Sequence, residues 1–111
     1  MKTADLTGRA LNWATAKALD ISVTVDKLPG LAADVFYWDD ESFQVQPYEP
    51  AIDSLIERER ITLVAMPDGS WEAHDLSLRP HFHNATAREA VLRCIVSSRL
   101  GDEVELPKEF S

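Results

Sequence analysis

Two apolar stripes run along opposite sides of one predicted helix in the C-terminal third of the chain. At about 100° per residue, the larger apolar residues Leu92, Val96 and Leu100 fall on one side. The opposite side carries mostly small residues, namely Ala87, Ala90, Val91, Cys94, Ile95 and Ser98. A surface helix needs only one apolar stripe. We therefore expect this helix to be central, covered on both sides by the rest of the chain or, on the leucine side, by a second copy of it.

The same helix has a start signal and a stop signal in the sequence. Thr86 followed by Glu89 matches a capping box, in which each side chain accepts from the other residue's backbone N–H. Gly101 follows the last apolar residue, where a left-handed glycine ends a helix without a steric cost. The pattern predicts a helix between these two signals.

Helical spacing predicts two further, shorter helices. Thr7 is an acceptable N-cap for a helix to about Leu19, with an alanine-rich inner stripe. Pro50 is suited to a first helical turn and is followed by apolar residues at helical spacing up to about Arg60. Arg9 and Trp13 are i, i+4 neighbours on the first helix, so we expect a cation–π pair there.

Alternating and β-branched residues predict the strands. The clearest prediction is a hairpin, formed by 61–66 and 71–75 around the turn Pro67-Asp68-Gly69-Ser70. Residues 21–25 predict another strand, whereas the aromatic run 35–38 fits either a strand or a loop. We expect 39–50 to be mostly loop with a brief extended edge near Phe43 and Val45, 76–85 to be a connection, and 103–106 to be an edge strand or a tail.

This order of elements predicts one domain of the α+β class. It contains three helices and a small, mostly antiparallel sheet built around the β-hairpin, with the long C-terminal helix at its centre. The 111 residues match the usual size of one domain.

Composition narrows the classes of function. The net charge is -8, with 45% hydrophobic and 27% charged residues, which is ordinary for a folded chain but opposes nucleic-acid binding. No apolar run reaches the roughly 20 residues that span a bilayer. The single cysteine, Cys94, forms no internal disulfide and is expected to be buried. We therefore expect a cytoplasmic protein with no membrane and no direct nucleic-acid contact.

Three blocks of the sequence resemble the NinX-like family of small phage and prophage proteins. The blocks are Leu6-Thr-Gly-Arg-Ala-Leu-Asn-Trp-Ala-Thr-Ala-Lys17, Leu55-Ile-Glu-Arg-Glu-Arg-Ile61 and Ala90-Val-Leu-Arg-Cys-Ile-Val-Ser-Ser-Arg-Leu-Gly-Asp-Glu-Val-Glu-Leu-Pro107. Tyr48, Pro50 and Trp71-Glu-Ala73 follow the order of weaker positions of the family. The resemblance implies no catalytic residue and no cofactor.

The chain also departs from the family pattern. Ala51-Ile-Asp-Ser54 stands where that family usually has Gly-Gly-Pro before its Ile-Glu-Arg-Glu segment, and Ala87 replaces a proline after the capping threonine. The segment Arg79-Pro-His-Phe-His-Asn84 has no family counterpart.

His81 and His83 are the candidates for a metal site. In an extended segment both imidazoles point to one side, and His74 would have to be brought close by the fold to add a third ligand. The alternative is a loop with histidines facing solvent and Phe82 anchored in the core. The pattern lacks the four ligands of a structural zinc site, so we predict no metal and no cofactor.

The acidic run Asp39, Asp40 and Glu41 is the other local concentration of charge. It lies in a stretch from Asp34 to Asp53 that has no Lys or Arg. The spacing and the central glycine of a calcium loop are missing, so a solvated acidic surface is the simpler interpretation. Such a surface favours a basic partner.

These observations lead to a non-catalytic phage-type accessory protein that binds another protein. The sequence also allows a homodimer through Leu92, Val96 and Leu100. Two alternatives remain open: an acidic DNA mimic that inhibits a nucleic-acid-binding protein, and a metal-dependent enzyme that uses the loop with His81 and His83.

Overall fold

The fold combines three helices with two antiparallel sheets, as the α+β prediction required. The computed structural model of the chain describes residues 1–27, 29–30, 32–76, 82–84 and 86–110. The helices are α1 (Gly8–Ala18), α2 (Ile52–Glu59) and α3 (Ala87–Leu100). The strands are β1 (Thr24–Asp26), β2 (Asp34–Asp39), β3 (Gln44–Pro47), β4 (Thr62–Ala65), β5 (Trp71–His74) and β6 (Phe82–Asn84).

The strands form two small sheets where the sequence predicted one. The first sheet has the order β1-β2-β3 and the second has the order β4-β5-β6. Within each sheet, strands that follow each other along the chain pair antiparallel. Between β3 and β4 the chain forms α2 instead of a hairpin connection, so the two ladders stay separate.

Helix α3 is the centre of the fold, as the double apolar pattern predicted. It contacts α1, α2, the short 3-10 helix at Thr3–Asp5 and all three strands of the second sheet. Every residue from Ala90 to Val96 is buried, including Arg93. Between Ala90 and Val96 both apolar stripes are therefore covered by the chain itself.

The ends of α3 follow the predicted caps with two differences. The Thr86 hydroxyl oxygen accepts from the backbone N–H of Glu89 at 3.1 Å. The Glu89 carboxylate accepts from the Thr86 hydroxyl at 3.0 Å, whereas a full capping box would use the Thr86 N–H. Gly101 has a positive φ of 91° with ψ at -166°, which is extended instead of left-handed. This φ still favours glycine.

Three local predictions differ from the structure. Residues 39–50 were expected to be mostly loop with a brief extended edge near Phe43 and Val45; that edge is the four-residue strand β3, which its ladder with β2 extends to Pro47. The expected connection 76–85 contains β6, which pairs with β5. Pro50 lies before the N-cap Ala51 and outside α2.

The two ends of the chain are joined. The backbone N–H of Thr3 donates to the Asp102 carbonyl at 2.8 Å, and the N–H of Val104 donates to the Met1 carbonyl at 2.8 Å. Lys2 and Glu103 form an isolated antiparallel bridge between these bonds. The segment after Gly101 is therefore held at its start by the N-terminal residues; of the two expectations for 103–106, an edge strand or a tail, the structure shows one isolated bridge at Glu103 and no strand.

Candidate functional site

The three residues predicted to form an interface do not share one exposed surface in the structure. Leu92 and Val96 are fully buried within the chain, and Leu100 is 40% exposed. The physical reason is the cover that α1, α2 and the second sheet give to α3. An interface made of these three side chains is thus not available: only Leu100 reaches the surface.

One of the three candidates for a metal site lies outside the described part of the chain. His81 lies outside the described residues, and His83 is described as a β6 residue in register with Glu72. His74 lies in β5 opposite Thr62. Within the described residues, no group of three or more His, Cys, Asp and Glu side chains is placed to hold a metal ion.

A polar groove of about 480 Å³ lies between the start of α1 and the start of α3. Both arginines that line it, Arg9 and Arg88, are engaged. Arg88 donates to the Asn12 side-chain oxygen at 2.8 Å and to the Pro50 carbonyl at 2.9 Å, and Arg9 pairs with Asp34 at 3.0 Å. These bonds tie α1, α3 and the segment after β3 together, which is a structural role.

One face of the first sheet carries exposed apolar side chains. Val35 in β2 is fully buried, and α1 packs against this strand. Because side chains alternate across a strand, Phe36 and Trp38 point the other way. Their cross-strand neighbours are Pro47 and Val45. We call Phe36, Trp38, Val45 and Pro47 the outer face.

The outer face is apolar, and three of its four residues are exposed, whereas Phe36 is half-buried. Trp38 is 56% exposed and Val45 is 61% exposed, and they lie directly opposite each other in the ladder. A groove of about 250 Å³ runs along this face, lined by Ser22, Val23, Thr24, Phe36, Tyr37, Trp38 and Val45. Adjacent large apolar side chains on a surface mark a site of interaction more often than isolated ones do.

The ladder on the β1 side stops short of Trp38. Strand β1 pairs with β2 only from Asp34 to Phe36, whereas β2 continues to Asp39. The Tyr48 N–H donates to the Val35 carbonyl at 2.7 Å, so odd-numbered β2 residues bond towards β3. Hydrogen-bonding direction alternates along an antiparallel strand. The backbone N–H and carbonyl of Trp38 therefore face the β1 side, beyond the last β1 pair.

The turn between β2 and β3 carries the predicted acidic surface. Asp39 ends β2, and Asp40 and Glu41 are exposed in the turn. The Asp39 carboxylate accepts from the Ser42 hydroxyl at 2.8 Å and from the Glu41 N–H at 3.0 Å. These hydrogen bonds, that of Ser42 first, lower the pKa of Asp39. Asp39 thus stabilises the turn in its charged form, and Asp40 and Glu41 present charge to solvent.

Phe43 in the same turn combines two unusual features. Its side chain is 76% exposed, and its backbone has a φ of +56°, in the left-handed region. Few residues other than glycine adopt this conformation without strain, and here the Phe43 N–H donates to the Asp39 carbonyl at 2.8 Å. Strained, exposed residues concentrate at functional sites. Phe43 therefore extends the exposed apolar character of the β2–β3 hairpin.

Sequence reasoning placed Asp39, Asp40 and Glu41 at the surface but did not identify the outer face. A signal was present in the run Val35-Phe-Tyr-Trp38, which is apolar on both faces of a strand. A strand of this kind needs cover on both sides. In the structure Val35 is fully buried, whereas Trp38 is 56% exposed.

Comparison with known proteins identifies one family. The family model described as "Bacteriophage P22, NinX" matches residues 2–99. No curated protein and no solved structure matches the chain. The match covers all three helices except the last residue of α3, and both sheets.

Proposed function

We propose that this chain, which belongs to the phage P22 NinX family, is a non-catalytic accessory protein that binds another protein through the outer face. The observation that carries the proposal is the exposed Trp38–Val45 pair, which lies on the face of β2 opposite the buried Val35. Tryptophan contributes more binding energy at protein interfaces than most residues do. The single, buried cysteine supports action in the cytoplasm.

The surroundings of the outer face favour a protein partner over a nucleic acid. Residues 34–53 contain no Lys or Arg, and the acidic turn lies beside the groove. Exposed aromatic residues bind nucleic-acid bases only where basic groups neutralise the phosphates. The acidic surroundings instead complement a basic protein surface. Among the described residues, no helix has the length and apolar character needed to cross a bilayer.

The proposal is tested by comparing capture from a lysate of phage-infected bacteria by three tagged forms. These are the unchanged protein, the double variant Trp38→Ser/Val45→Thr, and the control Val64→Thr. Val64 is exposed in β4 of the other sheet. We expect the unchanged protein and the control to retain the same protein, and the double variant to lose it.

The captured protein is then purified and its affinity measured by calorimetry. Loss of a central tryptophan and its neighbour should weaken binding by about thirtyfold or more, whereas the control should stay within about twofold. Circular dichroism checks that all three forms are folded. Equal affinity of the double variant and the control would overturn the proposal, as would capture of no protein by the unchanged form.

A further inference from the structure

We infer that the outer face binds an extended, basic segment of the partner, which adds as a short strand beside Trp38 on the β1 side of β2. This inference rests on the proposed function and specifies the partner's chemistry. Three independent features of the site converge on it: a backbone edge, an apolar groove and an acidic turn.

The backbone edge is the first feature. The pairing of β1 with β2 ends at Thr24 and Phe36, and β2 continues for three residues, Tyr37 to Asp39. Among the described residues, β2 pairs with β3 alone over this stretch. The N–H and carbonyl of Trp38 face the unpaired side. An extended peptide that lies there gains backbone hydrogen bonds in the same manner as an added strand.

The groove supplies a site for an apolar side chain. It follows the same edge, because its lining includes Ser22 and Val23, which precede β1, and Trp38 of β2. In an added strand, alternate side chains point to the same face. One side chain of the peptide would therefore lie against the Trp38 ring on the outer face, and its neighbours in sequence would point to the opposite side.

Charge complementarity selects a basic segment. Strand β2 leads from the groove directly into Asp39, Asp40 and Glu41, and no Lys or Arg lies between Asp34 and Asp53. Lys or Arg residues of a peptide that continues past Trp38 would lie near these carboxylates. An acidic segment at the same place would be repelled.

The test uses NMR titration of the full-length ¹⁵N-labelled chain with three capped synthetic heptapeptides. The first alternates lysine and valine, the second alternates glutamate and valine, and the third is the first with its interior amides N-methylated. We expect the lysine peptide to shift the amide signals of Tyr37, Trp38 and Asp39. The glutamate peptide and the methylated peptide should leave these signals in place.

Matched charge variants complete the test. Asp40→Asn/Glu41→Gln should weaken binding of the lysine peptide by about fivefold at low salt. The control Asp53→Asn/Glu57→Gln removes the same charge from the exposed side of α2 and should leave the affinity within about twofold. Asp39 is kept, because its carboxylate holds the turn.

The inference is overturned if the lysine peptide shifts no β2 signal, or if the glutamate or methylated peptide binds as tightly. These outcomes leave the proposed function standing when the captured partner still depends on Trp38 and Val45. Conversely, strand addition by the lysine peptide, without any captured partner that depends on the outer face, would remove the proposed function alone.

Discussion

The buried guanidinium of Arg93 donates a hydrogen bond from Nε to the backbone carbonyl of Leu6 at 2.9 Å. A second nitrogen of the same side chain reaches the Glu89 carboxylate at 3.2 Å. Arg93 thereby joins the middle of α3 to the segment that precedes α1. A buried carbonyl needs such a partner, because an unpaired one is costly.

We expect Arg93→Met to lower the free energy of unfolding by about 3 kcal/mol, since it leaves the Leu6 carbonyl unpaired in the core. The matched control is Arg99→Met at the end of the same helix. Arg99 pairs with Glu59 but is half-exposed, so its loss should cost less than about 1 kcal/mol. Urea unfolding of both variants measures the difference. Equal losses would show that the Arg93 bonds contribute nothing beyond a surface ion pair.

The threonines at the N-caps of α1 and α3 provide a second matched pair of variants. Thr86 accepts a capping hydrogen bond at the start of α3, whereas the Thr7 side chain makes no capping bond at the start of α1. Thr86→Ala should therefore reduce the free energy of unfolding by about 1 kcal/mol. Thr7→Ala should change it by less than about 0.5 kcal/mol. If thermal unfolding gives the reverse order, the assigned caps are wrong.

Glycine substitutions at two residues with positive φ should show whether Phe43 affects partner binding as well as stability. Phe43 and Arg60 both have a positive φ, of 56° and 55°. Replacing either residue by glycine should stabilise the fold by about 1 kcal/mol. Only Phe43→Gly removes an exposed aromatic side chain from the β2–β3 hairpin, so it alone should weaken partner binding. Arg60→Gly serves as the control in both measurements, and an unchanged affinity of Phe43→Gly would exclude Phe43 from the surface.

The buried Cys94 thiol should make stability depend on alkaline pH. Burial, followed by the nearby Asp75 carboxylate, raises the pKa of Cys94 from 9.0 to about 12. The unfolded chain then loses this proton at lower pH than the folded chain does. The stability that the protonated thiol contributes is present below pH 9.0 and is lost as the pH rises towards about 12.

Urea unfolding of the unchanged protein and of Cys94→Ala across this window isolates the effect. The unchanged protein should lose stability more steeply with rising pH. At pH 8 the native thiol should also resist an aromatic disulfide reagent that reacts readily in urea. Parallel pH profiles, or rapid reaction of the native thiol, would contradict the buried assignment.

The sequence was most informative where local signals are complete. Thr86 and Gly101 marked the ends of α3, and the doubled apolar pattern of Leu92 and Val96 correctly required cover on both sides. Local sequence patterns could not show which elements of the chain cover α3. Burial of Arg93 was also missed, because its partner, the Leu6 carbonyl, is distant in sequence and is brought near only by packing.

The sequence also failed to predict pairings between segments that are distant in the chain or have no clear periodicity. Trp13 was expected to pair with Arg9, but Lys17 lies over the Trp13 ring at 5.7 Å, and Arg9 instead pairs with Asp34 of the first sheet. Strand β3 has no strong period of its own and follows from its ladder with β2. The aromatic run 35–38 was a signal for an apolar face on β2, but its pairing with Val45, which completes the outer face, follows only from the structure.

The most direct test of the outer face is site-specific photo-crosslinking in phage-infected cells. A benzoylphenylalanine replaces Trp38 in one form and Val64 in the other, and the crosslinked products are identified by mass spectrometry. We predict a crosslink to a single partner protein from position 38, with none from position 64. A partner crosslinked from position 64 but not from position 38 would contradict the proposed surface.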